Sequence, residues 1–147
     1  MRKARLIVHR VLAAIDGTEV SVRAAAVAAE LVGTSDAELV LLTAVSVPQH
    51  MVLTANMDER SIERSLERTA RESLAAALGV LRQEGVGAEV KVAYGPPAET
   101  ILAEVQNSRA DLVVMGRGSR TEPKDFLLGS VSDRVARSVK VPILLVP

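Results

Sequence analysis

The 147-residue chain contains no cysteine, which excludes disulfides, thiolate metal ligands and a cysteine nucleophile. Its two histidines leave little room for chemistry that needs a histidine cluster. Aromatic residues make up 1% of the chain, so there is no stacking platform for single-stranded nucleic acid. The formal net charge is zero, whereas nucleic-acid-binding proteins usually carry a basic face. We therefore expect no nucleic-acid partner.

Long hydrophobic runs are also missing. No apolar run approaches the roughly 20 residues needed to span a bilayer. The basic segment Met1–Arg5 is followed by only three apolar residues, too few for a signal peptide. We expect a cytoplasmic protein without membrane insertion. The length, with 48% apolar and 24% charged residues, predicts a single domain over residues 1–147.

What the chain does contain is a regular alternation of short apolar runs and helical patterns. The predicted strands are Arg10–Ile15, Glu38–Val45, Glu89–Tyr94, Asp111–Met115 and Ile143–Val146. The predicted helices are Ser21–Val32, Asp58–Leu81, Ala98–Asn107 and Ser130–Ser138. On the first helix we expect one inward face, formed by Val22, Ala25, Ala26, Ala29 and Val32. The alternation predicts an α/β fold with a largely parallel sheet covered on both faces, without fixing the strand order.

Glycines surround the loop after the fourth predicted strand. Gly116 and Gly118 follow that strand directly, and Gly129-Ser130 opens the last helix. Glycine lets backbone approach a ligand closely, and a helix start offers unpaired N–H groups and a positive dipole end. Facing one another, two such elements would hold a phosphate chain. The alternative is that the glycines are ordinary turn residues and Ser130 is an N-cap assisted by Asp133.

Asp16 ends the first predicted strand, at the edge where open α/β sheets bind ligands. A carboxylate there can accept a hydrogen bond from a ribose hydroxyl. The alternative is a solvated aspartate turn, or an N-cap before the first helix.

Several segments resemble the universal stress protein family. They are Val11–Ser21, Gly95–Val105, Ala110–Ser119 and Leu127–Pro147. The family's nucleotide motif is a glycine, two residues, a second glycine, nine residues, and then Gly-Ser or Gly-Thr. Gly116 matches its first glycine, and Gly129 and Ser130 match its last pair. The middle position is Ser119, with Gly118 one place early.

The resemblance implies a five-stranded parallel sheet in the order 3-2-1-4-5 with helices on both faces. This is a Rossmann-like architecture of the adenine nucleotide α hydrolase type. Strands one and four then end side by side, which brings Asp16 and Gly116 to one crevice. The implied cofactor is ATP, with or without Mg²⁺. Neither a catalytic residue nor a metal ligand is indicated.

The resemblance also implies which residues meet the nucleotide. Those near adenine and ribose are Ala14, Ile15, Asp16 and Ala44. Those on the pocket floor are Met115 and Gly116. Those that meet the phosphates, chiefly through backbone N–H groups, are Gly118, Ser119, Gly129, Ser130 and Val131.

Two functions follow as hypotheses. The first is a sensor or regulator of the stress response that binds ATP. The second is a nucleotide-free homodimeric adaptor that acts through protein–protein contacts. Glu122 and Asp125 lie in the glycine-bearing loop, but the sequence places neither against a γ-phosphate, so we expect any ATP hydrolysis to be slow. The sequence does not identify the protein partner.

The last predicted strand, Ile143–Val146, is apolar and lacks a charge. In the implied strand order it forms an edge of the sheet, which favours pairing with another strand. We therefore expect a homodimer through this strand, antiparallel about a two-fold axis, a mode that the resemblance also implies. The alternative is a monomer in which the loop Ser46–Met57 covers the edge.

Overall fold

The structure, a computed structural model, describes residues 7–47, 58–118 and 128–147. Within these ranges the strands β1 to β5 are Arg10–Ala14, Glu38–Val45, Glu89–Tyr94, Leu112–Gly116 and Ile143–Val146. The helices α1 to α4 are Glu19–Gly33, Glu59–Glu84, Pro97–Asn107 and Ser130–Ser138. Every predicted strand and helix is present, with ends moved by three residues or fewer. Beyond Val47, the predicted loop Ser46–Met57 lies outside the described residues.

The five strands form one parallel sheet in the order β3-β2-β1-β4-β5, which confirms the expected fold. β1 is the central strand and pairs with β2 on one side and β4 on the other. The chain runs outward from β1 to β3 and then crosses to β4, so the strand order reverses between β1 and β4. Ala14 pairs with Met115 there, and both strands end at the same edge. Open α/β sheets bind ligands at such a reversal.

The sheet is buried on both faces. On β1, Val11 and Ala13 face the layer of α1 and α2, while Leu12 faces the layer of α3 and α4. Leu12 and Ala13 are fully buried. Full burial of one Val or Leu side chain contributes about 1.5–3 kcal/mol to the stability of the folded state, and side chains on both faces of the strand make this contribution. This double burial explains why the central strands are almost uniformly apolar.

The inward face of α1 differs from the predicted one. Val22 and Ala26 are only partly buried. The buried residues are Ser21, Ala24, Ala25, Ala28, Ala29 and Val32. Alanine occurs on most sides of this helix, so hydrophobic periodicity could not select one face. Tertiary packing against the sheet and α2 selects the buried face. The N-cap fixes only where the helix begins: it is Thr18, whose side chain accepts a hydrogen bond from the Ser21 N–H.

The long helix α2 is fixed at both ends by its sequence. Asp58 is its N-cap and accepts a hydrogen bond from the Ser61 N–H at 2.7 Å. Gly85 ends it in the left-handed conformation with φ of 66°. One face is buried, and charged residues are concentrated on the exposed surface of its first half. In the parts of the chain that the structure describes, no helix combines the length and hydropathy that a membrane crossing requires.

The outer strands differ from the central ones. β3 lies at one edge of the sheet, and its apolar side chains Val90, Val92 and Tyr94 are exposed. Its Lys91 is half-buried, with Nζ 3.4 Å from Glu104 Oε2. β5 forms the other edge, next to β4. The predicted edge position of the last strand is therefore confirmed.

Candidate functional site

A cavity of about 230 Å³ opens where β1 and β4 end. Ten of the eleven residues that the resemblance singled out line it: Ala14, Ile15, Asp16, Ala44, Met115, Gly116, Gly118, Gly129, Ser130 and Val131. Ser119, the eleventh, lies outside the described residues, as do Glu122 and Asp125. The parallel sheet brings these residues together from four separate segments of the chain.

One side of the cavity is a narrow apolar slot. Ala14 on β1 and Ala44 on β2 supply small side chains, and Met115 supplies the end of β4. Pro97 and Ile101, one turn apart on α3, close the slot from above the sheet. Because two of the walls are alanines, a flat apolar group has room between the strand ends and α3.

Asp16 lies at the rim of the cavity in a tight turn. Its Oδ1 accepts hydrogen bonds from the Thr18 N–H at 3.0 Å and the Thr18 hydroxyl at 2.6 Å. Gly17 between them has φ of 87°, a conformation that L side chains rarely adopt. The aspartate turn is therefore present. The N-cap of α1, however, is Thr18, so the alternative of Asp16 as an N-cap was wrong.

Gly116 permits the close packing of α1 on the end of β4. A Cβ at Gly116 would lie 2.3 Å from Val20 Cγ1, far inside van der Waals contact. The first turn of α1 therefore lies directly over the strand end, and Val20 forms part of the cavity wall.

Gly118 lies against Gly129, and we call this the glycine contact. A Cβ on Gly118 would lie 2.3 Å from the Gly129 nitrogen and 2.7 Å from its Cα. Gly118 also has φ of 143°. Only glycine at position 118 allows the end of the β4 segment to touch the start of α4. The interpretation of this glycine as an ordinary turn residue therefore omits its main structural role.

The carbonyl of Arg117 holds the glycine contact in place. It accepts hydrogen bonds from the Gly129 N–H at 2.9 Å and from the buried Ser132 hydroxyl at 2.6 Å. The Arg117 N–H donates to the Val146 carbonyl at 2.8 Å. The peptide units on both sides of Arg117 are thus tied to α4 and to β5.

The N-terminus of α4 points donors towards the cavity. Gly129 is the N-cap, so Ser130 is the first helical residue, as predicted, and the alternative of Ser130 as N-cap was wrong. The first intrahelical bond runs from the Asp133 N–H to the Gly129 carbonyl at 2.9 Å. The N–H groups of residues 130–132 therefore have no partner within the helix and lie at its positive dipole end. The Asp133 carboxylate instead pairs with Arg137, at 3.0 Å.

Sequence reasoning missed seven residues that line the cavity: Thr18, Val20, Ser21, Leu42, Pro97, Ile101 and Ser132. A signal existed for some of them. Leu42 is two residues before Ala44, so it lies on the same face of β2. Ile101 lies at an apolar position of the predicted helix Ala98–Asn107. The hydroxyl contacts of Ser132 had no signal, because they depend on how α4 meets β4.

The cavity lining is nearly uncharged. Among the described lining residues, Asp16 is the only one with an ionisable side chain. The described ranges also contain no cluster of three or more histidine or acidic side chains suited to a metal ion. The donors at the α4 end of the cavity are backbone N–H groups and the Ser130 hydroxyl.

Comparison with known proteins gives relatives along the whole chain. The sequence model of the universal stress protein family matches residues 8–147. A universal stress protein of Methanocaldococcus jannaschii, MJ0531, is 29% identical over 146 residues, covering 99% of this chain and 86% of that protein. YxiE of Bacillus subtilis is 30% identical over 152 residues, covering 94% and 98% respectively. A universal stress protein of Thermus aquaticus is 34% identical over 139 residues, covering 92% and 96%.

Solved structures share the fold. A universal stress protein in complex with cAMP superposes with a TM-score of 0.75 at 24% identity, covering 95% of this chain and 97% of that one. The Archaeoglobus fulgidus protein in complex with dAMP gives 0.68 at 18% identity, covering 97% and 100%. A family protein of Arabidopsis thaliana with AMP bound gives 0.65 at 24% identity, covering 94% and 90%. With a family model that matches nearly its whole length, this chain belongs to the universal stress protein family.

Proposed function

We propose that this chain is a cytoplasmic regulator of the stress response that binds an adenine nucleotide, ATP among them, in the cavity at the β1/β4 edge. The glycine contact carries the proposal. It joins the loop after β4 to the N-terminus of α4 and so makes one continuous wall of backbone beside Asp16 and the apolar slot.

The wall suits phosphate. A bare glycine backbone lets phosphate oxygens approach closely, and the N–H groups of residues 130–132, which have no partner within α4, lie at the positive end of its dipole. Ser130 is exposed at the cavity and adds a hydroxyl donor. Few side chains have to be ordered on binding, because the donors belong to backbone already held by the Arg117 carbonyl.

The opposite side suits a nucleoside. The slot between Ala14 and Ala44 accepts a flat aromatic ring, and Asp16 lines the same cavity as that slot and the glycine contact. A ribose linking the base to the phosphate would pass beside the Asp16 carboxylate, which can accept its hydroxyl hydrogens.

The relatives support the adenine assignment. Family proteins of the same fold have been crystallised with cAMP, dAMP and AMP, which share adenine and differ at ribose and phosphate. The spacing of Gly116, Gly129 and Ser130 supports the longer phosphate chain of ATP.

Thermal unfolding and calorimetric titration test the proposal. A ligand of the native state alone raises the midpoint, by an amount set by its concentration relative to Kd. Millimolar ATP with Mg²⁺, ATP without it and AMP should each raise the midpoint and give saturable heats, while GTP should give smaller effects. No response to any adenine nucleotide would contradict the proposal and favour the nucleotide-free adaptor.

The nucleotide is proposed to act as a signal and not as a rapidly consumed substrate. Asp16 is the only carboxylate among the described lining residues, and its Oδ1 already accepts two hydrogen bonds from Thr18. It also lies on the ribose side of the cavity. Steady-state hydrolysis faster than about 1 per second, an ordinary enzymatic rate, would contradict this part of the proposal.

The assembly is proposed to be a homodimer through β5. The Pro142 and Val146 carbonyls accept hydrogen bonds from the β4 segment, at 3.0 and 2.8 Å. Since alternate residues of a strand bond to the same neighbour, Ile143 and Leu145 direct their N–H and C=O groups to the free edge. An antiparallel partner β5 would pair with them.

Leu145→Pro should weaken this dimer, because it removes a donor at the free edge and leaves the bonds to β4 in place. Sedimentation equilibrium at micromolar concentration measures the effect, with a melting curve to show that the variant is folded. A native protein that sediments only as a monomer would rule out the dimer.

A further inference from the structure

Thr18 makes two different contacts with its single hydroxyl. The O–H donates to Asp16 Oδ1 at 2.6 Å, and the oxygen accepts the Ser21 N–H at 3.3 Å as the N-cap of α1. The Thr18 N–H also donates to Asp16 Oδ1, at 3.0 Å. One residue therefore fixes both the start of a helix and the orientation of a carboxylate.

The backbone of this turn is also held by Ser21, whose side chain is buried. Its hydroxyl donates to the Thr18 carbonyl at 2.9 Å and accepts the Asp16 N–H at 3.3 Å. The turn from Asp16 to Ser21 is thus closed on itself, and its backbone does not depend on the Thr18 hydroxyl alone.

The two oxygens of Asp16 are left unequal. Each carboxylate oxygen has about two acceptor positions, and Thr18 uses both positions of Oδ1. Among the described residues nothing donates to Oδ2, while Asp16 is exposed and lines the cavity. Oδ2 is therefore the oxygen available to a ligand. Asp16 therefore cannot bind a vicinal diol in the bidentate mode, in which each carboxylate oxygen accepts a hydrogen bond from one hydroxyl.

We infer that Thr18 is a positioning residue for ligand specificity: it presents Oδ2 of Asp16 to a ribose hydroxyl and so selects nucleotides whose sugar keeps a free hydroxyl. This rests on the proposed nucleotide site. Without the Thr18 hydroxyl, the exposed Asp16 side chain regains rotamers that binding must then remove. The affinity therefore falls only for ligands that hydrogen-bond to the Asp16 carboxylate.

The test compares AMP with 2′,3′-dideoxy-AMP by calorimetric titration of the full chain. Wild type should bind AMP roughly ten- to hundredfold more tightly, the value of one hydrogen bond to a charged group. Thr18→Val should lose part of that preference, binding AMP severalfold more weakly and the dideoxy nucleotide as before, because only the Thr18 N–H still holds Oδ1. Thr18→Ser, which keeps the hydroxyl, should restore the wild-type ratio.

Asp58→Ala is the matched control. It removes the N-cap of α2, which does not line the cavity, and should leave the AMP to dideoxy-AMP ratio at the wild-type value. If Thr18 had a purely structural role, Thr18→Val would lower the affinity for both nucleotides equally, and that result would overturn the inference. An unchanged preference in that variant, or no preference in wild type, would also overturn it while leaving the nucleotide site intact. Absence of AMP binding in wild type would instead remove the proposed function, and the inference with it.

Discussion

Gly118→Ala should break the glycine contact. The added Cβ would lie 2.3 Å from the Gly129 nitrogen and 2.7 Å from its Cα, where an ordinary contact needs at least 3.4 Å. The atoms in its way belong to backbone, so no side chain can rotate aside. The β4 end and the α4 start would have to separate by about 1 Å, a distance comparable to the overlaps that disrupt well-packed interiors.

Two separate effects add to the magnitude. Overpacking against fixed backbone costs about 1–3 kcal/mol. Placing alanine at φ of 143° adds about 1–3 kcal/mol of backbone strain. The sum is about 2–6 kcal/mol. This is smaller than most values of the 5–15 kcal/mol by which a folded domain is typically stable, so much of the protein should still fold. The separation would also lengthen the hydrogen bond from the Gly129 N–H to the Arg117 carbonyl and displace the N–H groups at the start of α4.

Urea denaturation and AMP titration measure the two consequences side by side. The variant should unfold at lower urea and bind AMP at least tenfold more weakly. Gly79→Ala is the matched control, because it makes the same chemical change within α2, with no atom within 4 Å of the new Cβ. It should stabilise the protein by about 0.5–1 kcal/mol, as Ala replaces Gly in a helix, and leave AMP binding unchanged.

A Gly118→Ala protein with the wild-type urea midpoint and wild-type AMP affinity would refute the reasoning. It would mean that the two segments separate freely, and the glycine contact would then not define the site.

Three further changes probe other parts of the account. Ala44→Leu puts three extra carbons into the apolar slot and should abolish AMP binding in a titration while shifting the melting midpoint little, because Ala44 borders open space. Arg109→Gly should raise the free energy of unfolding in urea by about 0.5–1 kcal/mol, because Arg109 has φ of 55°, and an unchanged or lower value would contradict this. Hydrogen bonds from the Ser61 hydroxyl and then its N–H lower the pKa of Asp58 from 3.8, so the stability from this cap is present above that pH and lost as the pH falls through the lowered pKa. Asp58→Asn should reduce the drop in urea midpoint between about pH 6 and pH 3, and an equal drop would show that the cap does not titrate in this way.

The elements of the fold were predictable because their signals are local. The run Leu39–Leu42 is buried on both faces of the sheet and so reads as a continuous apolar strand. The order of the strands was not encoded in such local patterns and came from the resemblance to a family. The face of α1 was predicted wrongly because alanine fits almost any side of a helix, and tertiary packing made the choice.

The candidate site shows the same division. Asp16 and Gly116 could be placed from sequence because each lies at the carboxyl end of a buried strand, and parallel strands end at a common edge. The roles of Gly118 and Ser132 could not, since both depend on contacts between segments that are distant in the chain. The predicted start of the last helix at Ser130 was confirmed, whereas the alternative that Ser130 is the N-cap was wrong, because side-chain preference alone cannot tell an N-cap from the residue after it.

The most direct test of the central claim is a methyl-detected NMR titration of the native chain with AMP, which reports both binding and its location. Saturable shifts are expected at cavity methyls, above all those of Ala14, Ala44 and Val131, and none at Val90 on the far edge of the sheet. No shift at millimolar AMP, or saturable shifts confined to residues away from the cavity, would contradict the claim that this edge of the sheet binds an adenine nucleotide.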